Sequence, residues 1–99
     1  MVRVALHCRD LLFGSKVEGA LRAAGHEVTR NVEPPDVVVV DLTDPDVPWP
    51  DATGVPRLGF YSHVDQETRR RAEEAGFDLV VPRSRMNREA AALVEKLAG

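Results

Sequence analysis

Hydrophobic residues along the chain fall into two patterns, one continuous and one periodic. The continuous pattern is Val37-Val38-Val39-Val40, opened by Pro34-Pro35-Asp36 and closed by Asp41-Leu42. An uninterrupted run of β-branched residues suits a strand buried on both faces, in the middle of a parallel sheet with helices above and below. The two prolines delimit its start. Shorter runs predict four more strands: Val2–Leu6, Glu27–Arg30, Arg57–Tyr61 and Leu79–Val81. The periodic pattern predicts helices. Val17, Ala20, Leu21 and Ala24 share one face of a helix stopped by Gly25 and started by Asp10 or Ser15. Asp65 caps a helix running to about Ala75 and closed by Gly76, and Asn87 caps a last helix with an Ala90, Leu93, Val94 and Leu97 stripe.

The resulting order, β-α-β-β-β-α-β-α, argues for a parallel sheet with right-handed crossovers. Two connections are unusual. Asn31 to Pro35 is far shorter than the dozen or so residues a parallel crossover needs, so either the link is extended or strand two is an antiparallel edge. Thr43 to Gly54 holds three prolines and reads as an ordered loop with Trp49 tucked onto the body.

This order puts Asp41 at the carboxyl end of a central strand, the edge at which open α/β sheets bind ligands. At 99 residues the chain has length for one domain, residues 1–99, with one core. A net charge of −3 offers no general attraction to nucleic acid or to an anionic membrane, so neither is an expected partner. The charge is unevenly spread: residues 31–55 carry six acids and no basic residue, and residues 56–88 carry seven arginines against five acids. A single cysteine, Cys8, excludes an internal disulfide and fits a reducing compartment. No apolar run is long enough to span a bilayer, and the chain opens on a strand pattern rather than a signal peptide, so a cytoplasmic location is expected.

Tyr61-Ser62-His63-Val64-Asp65, together with Arg69 through Arg83 and its Ala75-Gly76-Phe77-Asp78 segment, resembles the second half of a receiver domain of two-component response regulators. There a Thr or Ser follows strand four, a helix ends in Ala-Gly-Ala-Asp, and strand five ends in Lys-Pro. The strand ending in Asp41 resembles the receiver's phosphoacceptor strand. Leu21 to Val28 resembles the end of its first helix and its second strand. The resemblance implies a small doubly wound, mostly parallel five-stranded sheet of flavodoxin-like type. Its order would be 2-1-3-4-5, with the helices after strands two and three reduced.

At the active positions the chain departs from that family. The acidic pair that holds a divalent metal falls on Cys8 and Arg9, with Asp10 one position late. The acceptor is retained as Asp41. The switch residue falls on Tyr61, followed by Ser62, and the invariant lysine falls on Arg83, followed by Ser84 in place of proline. Mg²⁺ takes carboxylates, waters and phosphate oxygens, and an arginine opposes it, so no metal site and no cofactor are expected. Asp41 is then either a phosphoacceptor helped by Arg9 and Arg83, or a structural carboxylate paired with an arginine and capping loop amides. Tyr61 either docks a partner or packs inward beside Trp49. Ser62 supplies a hydroxyl near the site or starts the next helix. His7 and Cys8 lack a second pair at metal-ligand spacing, and His26 and His63 read as loop residues.

Arg69, Arg70 and Arg71 cannot share one helix face and read first as a solvated helix; with Arg83, Arg85 and Arg88 they offer a basic patch for an acidic protein or another copy of the chain. Leu12-Phe13-Gly14-Ser15-Lys16 lacks phosphate-loop spacing and reads as a loop folding Leu12 and Phe13 onto the core, with an anion site at Gly14 and Ser15 as the alternative. No nucleophile, base and orienting group occur together, so an enzyme is not expected. The expectation is a pseudo-receiver, a protein-interaction or signalling module without metal-dependent phosphorylation. The alternatives are a phosphoaccepting receiver and a small anion- or nucleotide-binding module.

Overall fold

A computed structural model describes residues 1–29, 34–51 and 54–99. Arg30 of the expected second strand, Asn31–Glu33 of the short link, and Ala52 and Thr53 of the proline loop lie outside the described residues. The elements follow in the order β1 (Arg3–His7), α1 (Leu11–Ala23), β2 (Glu27–Thr29), β3 (Val37–Asp41), β4 (Arg57–Tyr61), α2 (Gln66–Glu74), β5 (Leu79–Pro82) and α3 (Arg83–Ala98).

The five strands form one sheet ordered β2-β1-β3-β4-β5, and every pairing is parallel. Strand two is therefore not an antiparallel edge: Glu27 pairs with Arg3 and Val28 with Val4 in parallel register. All five residues of β3 are buried, as the valine run requires of a strand covered on both faces. The same holds for β4, where the sequence alternates less clearly.

The two faces are covered differently. On one, α1 and α3 pack Val17, Leu21, Met86, Ala90, Leu93 and Val94 against Val4, Leu6, Val37, Val39, Leu58 and Phe60 of the sheet. On the other, α2 contributes only Ala72, and the rest of the cover comes from Val47, Trp49, Val55 and Phe77 over Ala5, Val38, Val40 and Tyr61. The β3–β4 connection thus does by loop what a helix does in a full doubly wound unit.

Arg57 fixes that loop. It opens β4 at 4 % exposure, an unusual depth for an arginine. Its Nη1 donates to the Pro50 carbonyl at 2.8 Å, its Nη2 to the Ala75 carbonyl at 2.6 Å, and its guanidinium lies over the Phe77 ring at 4.4 Å. Ala75 is the C-cap of α2, whose last carbonyls have no partner inside the helix. Asp78 accepts from the Arg57 backbone N–H at 2.8 Å. Nothing in the sequence pattern separates Arg57 from the solvated arginines.

Asp10 caps α1 through the Phe13 N–H, and Asp65 caps α2 through the Thr68 N–H, as the sequence predicts for both. Gly25 and Gly76 follow their helices with φ of 90° and 89°, a conformation that favours glycine. Three local expectations are corrected. Ala20 and Ala24 are exposed, and the buried side of α1 is Phe13, Val17 and Leu21. Leu12 and Phe13 belong to the helix, not to a loop; Phe13 packs on the core as expected, but Leu12 is 82 % exposed. Asn87 does not cap the last helix: α3 begins directly after Pro82 and carries a non-helical residue at Glu89.

Replacing Arg57 by Met keeps the stem and removes the donors. The carbonyls of Pro50 and Ala75 then lose their charged partner, at a cost of about 1–3 kcal/mol. Urea unfolding of Arg57→Met against the parent protein measures this loss.

Candidate functional site

The carboxyl ends of β1, β3 and β5 converge on a cleft of about 380 Å³ lined by Arg9, Asp10, Asp41, Thr43, Asp44, Pro45 and Arg83. Asp41 is the last residue of β3 and is 1 % exposed. Burying a carboxylate is costly unless its oxygens are hydrogen-bonded. Here Oδ1 accepts from the Thr43 N–H at 2.9 Å and from the Thr43 hydroxyl at 2.5 Å, and Oδ2 faces the Cys8 thiol at 3.7 Å. An acid with a hydroxyl residue two positions on can close this turn locally. Thr43 is the residue that sequence reasoning missed, and the Asp41-Leu42-Thr43 spacing was its only signal.

Both arginines line the cleft, and neither pairs with Asp41. Arg9 turns outward to Asp46 at 3.1 Å and Asp44 at 3.9 Å. Arg83 pairs with Asp10 at 3.0 Å, and its guanidinium lies 4.3 Å from the centroid of the Phe13 ring. Asp41 therefore holds a loop amide and pairs with neither arginine. Placing a guanidinium against a carboxylate this deep would desolvate two charges, whereas Thr43 and Cys8 satisfy it with neutral groups.

The remaining carboxylates are engaged as well. Asp10 accepts from the Phe13 N–H at 3.0 Å and from Arg83, and these bonds hold its carboxyl below the usual aspartate range, the N–H contributing most. Asp44 accepts from the Asp46 N–H at 2.9 Å. Among the described residues no group of three His, Cys, Asp or Glu side chains is arranged to hold a metal ion. Cys8 is buried, and burial first, then the charges of Asp41 and Asp10, push its thiol above the ordinary cysteine value. The thiol has one hydrogen to donate, and both the Asp10 carbonyl and Asp41 Oδ2 lie 3.7 Å from its sulfur.

Of the predicted pocket residues, the structure brings Arg9, Asp10, Asp41 and Arg83 to one cleft, with Cys8 hydrogen-bonded to Asp41. Tyr61 is absent from it: its side chain packs into the loop-covered face with Val38, Val40 and Leu42, and Trp49 packs against the same cluster. Ser62 lies past the end of β4, where its carbonyl accepts from the Asp65 N–H at 2.8 Å.

Gly14 and Ser15 do not stand at the start of a helix. Both residues are inside α1, and the Gly14 N–H is spent on the Asp10 carbonyl at 2.8 Å. The basic patch is largely self-neutralised. Arg69 pairs with Glu73, Arg70 with Glu67 and Glu74, and Arg85 and Arg88 with Glu89. Arg71 lies over the Trp49 ring at 5.5 Å. Such spacing along a helix is the arrangement of a solvated face. No helix of the described residues is long and apolar enough to cross a membrane.

No protein-family model matches the chain, and no curated protein matches it.

Two outcomes follow from the geometry. Asp41→Ala strips Thr43 of its acceptor and destabilises the protein by about 1–3 kcal/mol in urea unfolding, whereas Asp41→Asn keeps an acceptor oxygen and costs less. Because the folded pKa of Asp10 lies below its unfolded value, its contribution is complete above the ordinary aspartate pKa and is lost as pH falls through the folded value. The stability gap between the parent protein and Asp10→Asn therefore narrows on acidification below about pH 4, measured by unfolding at stepped pH.

Proposed function

We propose that the protein is a receiver-like interaction module that works without metal-dependent phosphorylation. The observation that carries this reading is the engagement of Asp41: one carboxylate oxygen takes two donors from Thr43 and the other faces the Cys8 thiol. Phosphoryl transfer to a carboxylate needs an oxygen free to attack in line and a cation to neutralise the developing charge. At the positions where receivers carry an acidic pair, this chain has a protonated thiol and an arginine turned to Asp44 and Asp46. The nearest substitute, Asp10, is tied to Arg83 and to the first turn of α1.

The sheet order 2-1-3-4-5 and the position of Asp41 at the end of β3 support kinship of fold with receivers. Function in this reading is binding: a protein partner, a signalling protein or a second copy of the chain, in the cytoplasm. With Arg69, Arg70, Arg85 and Arg88 paired to glutamates, that partner is recognised by shape and apolar contact more than by net positive charge.

Incubation with acetyl phosphate or beryllofluoride and Mg²⁺, followed by intact-mass analysis, tests the proposal. The expected result is an unmodified chain. Stoichiometric modification that disappears in Asp41→Asn, or transfer from a histidine kinase, would instead establish a phosphoaccepting receiver in which Arg9 and Arg83 lend their charge.

A further inference from the structure

The span Arg83–Ala98 is two helical segments meeting at a kink, where Glu89 has φ −127° and ψ 19°. These values lie well outside the helical region near −63° and −42°. Helix breaks ordinarily trace to proline, glycine or an inserted group, and the surrounding Met86-Asn87-Arg88-Glu89-Ala90 contains neither proline nor glycine. The break therefore divides α3 into two pieces that are anchored separately. The rear piece is held by Leu93 and Val94 in the core. The front piece is held by Met86, which is fully buried, and by Arg83 on Asp10 and Phe13. Glu89 itself is pinned from the front by Arg85 at 3.4 Å and Arg88 at 3.9 Å.

We propose that the front turn of α3, residues 83–88, is a hinged strap that forms one wall of the Asp41 cleft and is latched by Arg83. The latch has two parts, the ion pair to Asp10 and the stacking on Phe13, and Phe13 in turn rests on Phe60 with ring centroids 5.0 Å apart. Asp10 is also the N-cap of α1, so one carboxylate joins the start of α1 to the start of α3. Opening the strap withdraws Arg83 from the cleft, frees the Asp10 oxygen it held, uncovers the Phe13 ring face and draws Met86 from its buried seat. Closing it restores the rigid wall. The pivot is Glu89, where the backbone already leaves the helical path. This device goes beyond the interaction reading and does not depend on whether Asp41 accepts a phosphoryl group.

Amide hydrogen exchange of the full chain, followed by mass spectrometry without any phosphoryl donor, tests it. Asp10→Asn keeps an N-cap acceptor and removes the charge, and Arg83→Gln removes the guanidinium. Arg83→Gln loses the ion pair and the cation–π contact and is expected to raise exchange of the 83–89 segment about five-fold or more; Asp10→Asn loses the ion pair alone and is expected to raise it about two-fold. Exchange of 91–98 and of β1 and β3 changes less than about two-fold, since a local opening that exposes Met86 leaves Leu93, Val94 and the strands packed. The double variant adds little to Arg83→Gln, because both act on one latch. Equal acceleration across 83–98 in both variants would show a single rigid helix and overturn the proposal. An unchanged 83–89 segment in both would equally overturn it.

Discussion

Covering the second face of the sheet is the constraint on which the rest of this fold depends. A parallel sheet must be buried on both sides, and β3 is apolar on both. One side is served by two helices. The other has a single nine-residue helix that buries only one alanine, so the chain recruits Val47, Trp49 and Phe77 to close the gap. Those side chains come from a loop and a turn, which have no ladder of their own to hold them. Their order comes from Arg57, which binds a loop carbonyl, a helix-terminal carbonyl and an aromatic face at once. A residue type usually placed at the surface is buried here because three parts of the cover converge on it.

The same economy shapes the carboxyl edge. With little helix to shield it, Asp41 is stabilised by its own turn and by a thiol beneath the sheet edge. The charges around it sort into separate pairs, Arg9 with the loop acids and Arg83 with Asp10. Each pair is partly exposed and carries modest energy by itself. Together they leave the cleft with every carboxylate already supplied with donors.

The sequence disclosed what local chemistry determines. The valine run, the caps at Asp10 and Asp65 and the stops at Gly25 and Gly76 each follow from a residue type at a fixed offset, and the strand order followed from a resemblance. What stayed hidden depends on who stands opposite in space. Arg57 is indistinguishable from the other arginines along the chain until its neighbours are known, and Arg83, placed at the cleft by the resemblance, gave no sign that its partners would be Asp10 and Phe13. The exposed Ala20 and Ala24 fit the helical repeat of the buried Val17 and Leu21; only the direction of the sheet separates them. The break at Glu89 has no breaker residue to announce it.

The way Arg57 is bonded also has a bearing on the order of assembly. Its donors reach seven residues back to Pro50 and eighteen forward to Ala75, so they cannot both be satisfied until β4 is in the sheet and α2 has formed. Contacts that close long loops come late, after the local structure that makes them favourable. By that rule the Pro50 contact, seven residues away, is the local one and the Ala75 contact is the more distant, so Arg57 is fully bonded only where α2 stands beside β4. The cover over Val38, Val40 and Tyr61 is thereby tied to the end of a helix that itself buries a single alanine.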